Sequence, residues 1–253
     1  MTQTIIAVVN QKGGVGKTTT AVNLATQLAT AKRKVLLVDL DPQGNATSSL
    51  GIDKNKLSAT LYDVVLGRTE LTNIMLQATN KNLFVLPSNA NLAGAEVDLV
   101  NVAERETRLR QALQLANADV VIIDCPPALG LLTINALVAA DKVLIPVQSE
   151  YFALEGLGQL LNTIQLVRQG LNPHLEILGV VLTMFNKRTV LSEQVQTEVA
   201  KHFGEKLFRT VIPRNVRLAE APSFGRTIFE HDKWSKGARA YKKLAEEVVQ
   251  RLG

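Results

Sequence analysis

The chain has 253 residues, 46% of them apolar, enough to bury the core of one large α/β domain. Aromatic residues make up only 4%, which argues against binding nucleic-acid bases on aromatic platforms, and no apolar run approaches the length of a membrane span. The net charge of +5 is uneven: residues 187–253 hold 14 Lys/Arg against 8 Asp/Glu, whereas residues 1–186 hold 14 against 15. The positive excess therefore sits in the last quarter, as a solvated face or as a surface for a polyanion. A single cysteine, Cys125, rules out an internal disulfide and fits a reducing cytoplasm. Residues 1–9 lack the architecture of a signal peptide.

The first predicted element is the apolar run Ile5-Ile6-Ala7-Val8-Val9, short and β-branched enough for a buried strand. After Gln11 comes the loop Lys12-Gly13-Gly14-Val15-Gly16-Lys17-Thr18-Thr19. Beyond it Ala21, Val22, Leu24, Ala25, Leu28 and Ala29 recur at helical spacing. Strand, glycine loop and helix together make a phosphate site: backbone N–H groups close around an anion and the helix N-terminus adds positive potential. Lys17 is placed to reach the β- and γ-phosphates of a nucleotide and the Thr18 hydroxyl to ligate Mg²⁺. The ordinary pattern G-x-x-x-x-G-K-[ST] would need glycine at position 11, which is Gln11; in its place Lys12-Gly13-Gly14 brings in a second lysine.

Lys32-Arg33-Lys34 is a polar turn that ends the first helix. Val35-Leu36-Leu37-Val38 reads as a second buried strand, with Asp39-Leu40-Asp41-Pro42-Gln43-Gly44 at its carboxyl end, where open α/β sheets bind ligands. Short helices are expected over 60–66 and 71–76, a strand at Leu83-Phe84-Val85-Leu86, and an amphipathic helix over 105–115. Val120-Val121-Ile122-Ile123-Asp124 is a continuous apolar strand ending in an acid and stopped by Pro126-Pro127, the Walker B arrangement that sets a carboxylate beside Mg²⁺. Cys125 reads as a small buried filler. A helix over 131–139, a strand over 143–147, a helix over 154–168, a strand over 177–183, a helix over 191–203 and a last strand over 207–212 follow. Such alternation means right-handed crossovers and a mostly parallel twisted sheet with helices on both faces, read here as one domain over residues 1–253.

The loop resembles the deviant Walker A motif, K-G-G-x-G-K-[ST]-T, of the ParA/MinD class of P-loop ATPases. Val38-Asp39-Leu40-Asp41-Pro42-Gln43-Gly44-Asn45-Ala46, Ile123-Asp124-Cys125-Pro126-Pro127 and Val211-Ile212-Pro213-Arg214-Asn215-Val216-Arg217 stand in the order seen in chromosomal ParA proteins of the Soj type. Gly130-Leu131-Leu132-Thr133 and Ala153-Leu154-Glu155-Gly156-Leu157 also look like that group. The resemblance implies a slow, Mg²⁺-dependent ATPase that dimerises around two ATP molecules and binds nonspecific double-stranded DNA in that state. A ParB-like centromere-binding partner would then stimulate hydrolysis and release the dimer.

By the same resemblance, Lys12 reaches the partner subunit's phosphates, and Gly13, Gly14, Val15, Gly16, Lys17, Thr18 and Thr19 hold the nucleotide. Asp41 orients or activates the attacking water, while Asp39 and Asp124 support the metal shell. Pro213 and Asn215 contact adenine, and Arg188 and Arg217 contact DNA. The location implied is cytoplasmic and nucleoid-associated. With the loop starting at residue 11, no N-terminal helix-turn-helix domain is expected.

Three rivals share the loop. A MinD-like ATPase would bind membrane through a C-terminal amphipathic helix. The run over 241–253 is amphipathic but acidic in its middle and free of Phe and Trp, so docking on its own domain is expected instead. An electron-transfer iron protein would need a cluster shared between two subunits, given one cysteine each. A small-molecule ligase or kinase leaves the basic last quarter without an account.

Overall fold

Aliphatic residues in successive strands alternate between two cores, which is why each strand is apolar along its whole length. Ile5, Ala7, Leu36, Val38, Val121, Ile123 and Ile145 pack into one core, and Ile6, Val8, Leu37, Ile122 and Leu144 into the other. The computed structural model describes residues 3–150 and 155–253. Among them seven strands form one sheet: β1 Thr4–Val8, β2 Val35–Asp39, β3 Leu76–Gln77, β4 Leu83–Leu86, β5 Val120–Asp124, β6 Lys142–Gln148 and β7 Glu176–Thr183. Their spatial order is β3-β4-β2-β5-β1-β6-β7. Every neighbouring pair is parallel except β3 with β4. The chain is an α/β fold with a mostly parallel sheet, as expected.

The helices are α1 Lys17–Leu28, α2 Asn45–Ser49, α3 Leu61–Val65, α4 Leu71–Ile74, α5 Ala95–Asp98, α6 Arg108–Leu113, α7 Leu131–Ala139, α8 Glu155–Gly170, α9 Val190–Phe203, α10 Val216–Glu220, α11 Ile228–Asp232 and α12 Lys236–Leu252. Leu24 and Leu28 of α1 and Tyr241, Leu244 and Val248 of α12 fill one core. Leu109 of α6, Leu137 of α7, Leu160 and Ile164 of α8 and Val199 of α9 fill the other. The C-terminal amphipathic helix thus spends its apolar face on α1, as the sequence suggested.

The differences from expectation lie where local pattern is weakest. The helix expected over 105–115 opens as a 3₁₀ turn, Arg105–Thr107, before α6. The edge strand β3, two residues long, and the short helices α10 and α11 carry too few residues for a period to register. Ala153 and Leu154, with the expected start of α8, lie outside the described residues.

The last strand, expected over 207–212, is not a strand. Phe208 N donates to Val180 O at 2.8 Å and Ile212 N to Leu182 O at 2.8 Å, so both ends touch β7. Between them the amides of Arg209 and Thr210 turn to the Glu247 carboxylate of α12, at 3.0 and 2.8 Å. A side-chain acceptor has replaced the ladder there.

Candidate nucleotide site

β1 stands between β5 and β6, so the loop leaving its carboxyl end emerges at the middle of the sheet. Gly16 caps α1 in the left-handed region at φ 87°, a conformation that side-chain-bearing residues resist. Val15 is buried, and its carbonyl accepts the Thr183 hydroxyl at 2.7 Å, pinning the loop to the tip of β7. The first turn of α1 carries no acidic side chain, leaving its open N–H groups to an anion.

The two loop lysines part company. Lys17 is 7% exposed, and its Nζ donates to the Lys12 carbonyl at 3.1 Å. Burial lowers the Lys17 pKa, against the pull of the Asp124 carboxylate. Lys12 is exposed at the mouth, where its Nζ pairs with Glu150 Oε2 at 3.4 Å.

The strands beside β1 supply the acids. Asp39 and Asp124 are register partners at the tips of β2 and β5, and both are fully buried. Asp39 Oδ2 accepts the Thr47 amide at 2.7 Å and the Thr47 hydroxyl at 2.6 Å. Burial, reinforced by the nearby Asp41, pushes Asp39 up to about 6 against those hydrogen bonds. Among the described residues, neither Asp124 oxygen has a well-formed hydrogen bond. Burial first, then the Asp39 charge, raises the Asp124 pKa well above the carboxylate range, with the Thr18 hydroxyl opposing the rise. A buried carboxylate without a donor, beside Thr18 and facing a phosphate loop, suits a hydrated divalent cation. The donor set fits Mg²⁺, which takes oxygen ligands and keeps several waters.

Asp41 is 8% exposed, and its Oδ1 accepts the Gln43 amide at 2.9 Å. Its carbonyl accepts Ser88 Oγ at 2.9 Å, while Ser88 N donates to Thr47 Oγ at 2.9 Å. Thr47 and Ser88 thus tie the two aspartates to β4, a role the sequence reading missed because a lone Thr and Ser carry no motif. Gly44 belongs to the same turn. Its φ is 60°, and a Cβ there would lie 2.7 Å from Ser88 O. Cys125 is buried and burial raises its thiol pKa, so it stays protonated, in keeping with a filler.

Pro213 and Asn215 line a cavity of about 400 Å³ together with Gly16, Thr19, Met184 and Tyr241. Asn215 caps α10 by accepting the Leu218 amide at 3.2 Å. Met184, also missed from sequence, holds φ 51°, a strained backbone against this cavity. Arg188 and Arg217 stand outside it on the surface. Arg217 is tied to Glu220 at 3.0 Å and Asp232 at 3.8 Å.

The acid cluster has a pH consequence. A carboxyl with a raised folded pKa stabilises the fold while protonated, and that contribution is lost as pH rises through about 6. Asp39→Asn keeps an acceptor for Thr47 and cannot ionise. Without nucleotide it should melt above the wild type at pH 7.5, by on the order of 2 kcal/mol, with the difference vanishing toward pH 4. Melting curves across that range check this; a variant less stable at pH 7.5 would contradict it.

Known proteins resemble the chain over nearly its whole length. The family model described as AAA domain matches residues 3–177. The sporulation initiation inhibitor protein Soj of Bacillus subtilis is 56% identical over 247 residues, 97% of this chain and 98% of that one. The chromosome partitioning protein ParA of Caulobacter vibrioides is 51% identical over 251 residues, covering 98% and 94%. The chain belongs to the ParA/Soj family. Among solved structures, a Mycobacterium smegmatis protein described as cobyrinic acid a,c-diamide synthase, with bound ATP analog and magnesium, superposes with TM-score 0.87 at 40% identity. That match covers 99% of this chain and 96% of the other.

Proposed function

We propose that this ParA/Soj-family chain is an ATPase that dimerises around two ATP molecules, binds duplex DNA without sequence preference in that state, and leaves it on hydrolysis. A ParB-like centromere-binding protein stimulates the hydrolysis, so the cycle moves chromosomal, plasmid or other cargo over the nucleoid in the cytoplasm. The carrying observation is the division between the lysines. Lys17 is buried against its own loop, while Lys12 is exposed and, among the described residues, its ammonium pairs with Glu150 alone, which suits it to serve a second subunit.

In this reading Gly13, Gly14, Val15, Gly16, Lys17, Thr18 and Thr19 hold the phosphates, and Pro213 and Asn215 face the adenine. Thr18 would ligate Mg²⁺, with Asp39 and Asp124 in its outer shell. The ion would neutralise charge on the phosphate oxygens. Asp41 orients the attacking water, and Lys12 supplies its charge across the dimer. A loose phosphoryl-transfer transition state depends on such placed charge, so a lysine in trans makes hydrolysis conditional on assembly.

Two rivals meet specific observations. Membrane attachment through the last helix would need an apolar face that α12 already packs on α1, and no helix among the described residues is long and apolar enough to cross a bilayer. A synthase reading, prompted by the name of the Mycobacterium smegmatis protein, requires turnover that depends on a small-molecule substrate.

The decisive experiment is a titration of two unrelated duplexes with ATP, ADP or no nucleotide at two salt concentrations. Tight binding is expected only with ATP, equal on both duplexes and steeply weakened by salt, because dimerisation doubles the phosphates contacted. Exposed Lys236, Arg239 and Lys243 follow one face of α12 and add to the basic surface. Arg217 remains available, since exposed ion pairs hold only about 0–1 kcal/mol against competing phosphates. Arg217→Glu should weaken binding on the order of tenfold on every sequence and flatten the salt slope, and Arg188→Glu should do likewise. Nucleotide-independent or sequence-selective binding would refute the proposal.

A further inference from the structure

The segment that fails to become a strand leads directly into the wall of the base cavity, and α12 holds it by its backbone. Glu247 accepts the amides of Arg209 and Thr210 and the Thr210 hydroxyl. One turn later Arg251 spreads its guanidinium over four carbonyls: Leu178 at 2.9 Å and Glu205, Lys206 and Leu207 at 3.0 Å each. The same guanidinium stacks on the Phe208 ring at 3.8 Å. Arg251 therefore ties β7 to residues 205–207, and Glu247 fixes the next turn.

Two residues beyond Thr210, the Ile212 carbonyl accepts the Phe185 amide at 2.9 Å, and Pro213 and Asn215 line the cavity. At its other end, α12 places Tyr241 in the cavity wall, where its hydroxyl meets Thr20 of α1 at 3.1 Å, one turn behind the phosphate loop. One helix thus touches both halves of the site. Its pair at i and i+4 also supplies the charge-assisted hydrogen bonds best suited to fixing a loop without a ladder.

We propose that Glu247 and Arg251 are positioning residues for nucleotide recognition, setting the 205–215 segment so that Pro213 and Asn215 face the base. This rests on the nucleotide reading above. The pair grips the segment through its backbone, the Thr210 hydroxyl and the Phe208 ring, and among the described residues none of its hydrogen bonds goes to the phosphate loop, so its loss should spare phosphate binding and erode recognition of the base.

The test compares affinity for Mg·ATP with affinity for inorganic tripolyphosphate, a probe without a base. Glu247→Ala and Arg251→Ala should each weaken ATP about tenfold, the worth of one charge-assisted hydrogen bond, and leave tripolyphosphate unchanged. Val248→Ala removes buried packing from the same helix but none of the polar contacts to the segment; it should lower the melting temperature but keep the ATP-to-tripolyphosphate ratio. Should the alanine variants not fold, Glu247→Gln and Arg251→Lys carry the comparison. Glutamine offers one acceptor for two amides, and lysine lacks the fork, so both should lose ATP preference in the same direction by less.

A ratio unchanged in every folded variant, or shifted equally by Val248→Ala, overturns the positioning role while leaving the nucleotide site standing. A wild type that binds tripolyphosphate and ATP alike, or neither, overturns the nucleotide reading itself.

Discussion

Lys17→Ala is expected to remove ATP binding almost entirely, lowering affinity on the order of a thousandfold, because breaking a buried charge pair costs about 3–5 kcal/mol. The ammonium is nearly buried and bonded to the Lys12 carbonyl, so its position is set before nucleotide arrives. It is the cation closest in effect to Asp124, and Asp41 also acts on it. Removing it leaves three carboxylates facing a triphosphate with no protein cation buried among them. Lys17→Arg should not restore binding, since a planar guanidinium cannot occupy the ammonium's place under the loop. A fluorescent ATP analogue measures the effect with Mg²⁺ present, and affinity within threefold of wild type would remove Lys17 from the site.

Asp41→Ala is the second large effect and separates binding from chemistry. Asp41 lies beyond the strand tip, 8% exposed, with Oδ1 fixed by the Gln43 amide and its backbone fixed by Ser88. A carboxylate held by its own turn can orient a water without contributing to nucleotide affinity. Hydrolysis should fall about a hundred- to ten-thousandfold, while ATP affinity changes little. The variant should then accumulate as an ATP-bound dimer in size-exclusion chromatography. Lys12→Ala should instead stay monomeric with ATP, because the residue it would offer the second subunit is gone. Wild-type turnover in Asp41→Ala would dismiss the water-positioning role.

Much of this site is legible in the chain because its parts are local. Gly16 and Lys17 are neighbours, and the turn through Asp41 and Gly44 spans a few residues, so spacing alone carries the geometry. Val120 to Asp124 reads as a strand because five consecutive aliphatic and acidic side chains leave no other period. The supports of those residues are not legible. Thr47 reaches Asp39 over 8 positions and Ser88 reaches Thr47 over 41, and each is a common polar residue whose role exists only after folding. Glu150 beside Lys12, 138 positions away, is another.

The sequence by itself determined the parallel sheet, the phosphate loop at the end of β1 and the acids at the ends of β2 and β5. Each follows from backbone preference and side-chain period within a dozen residues, and physics at that range needs no partner. Tertiary structure alone decided the fate of residues 207–212. Their β-branched and apolar character fits a strand, and both ends do pair with β7. The amides of Arg209 and Thr210 had two acceptors to choose between, a neighbouring strand or the Glu247 carboxylate. A charged acceptor brought in by α12 makes the stronger bond. That competition depends on where a helix almost forty residues away comes to rest, which no local pattern encodes.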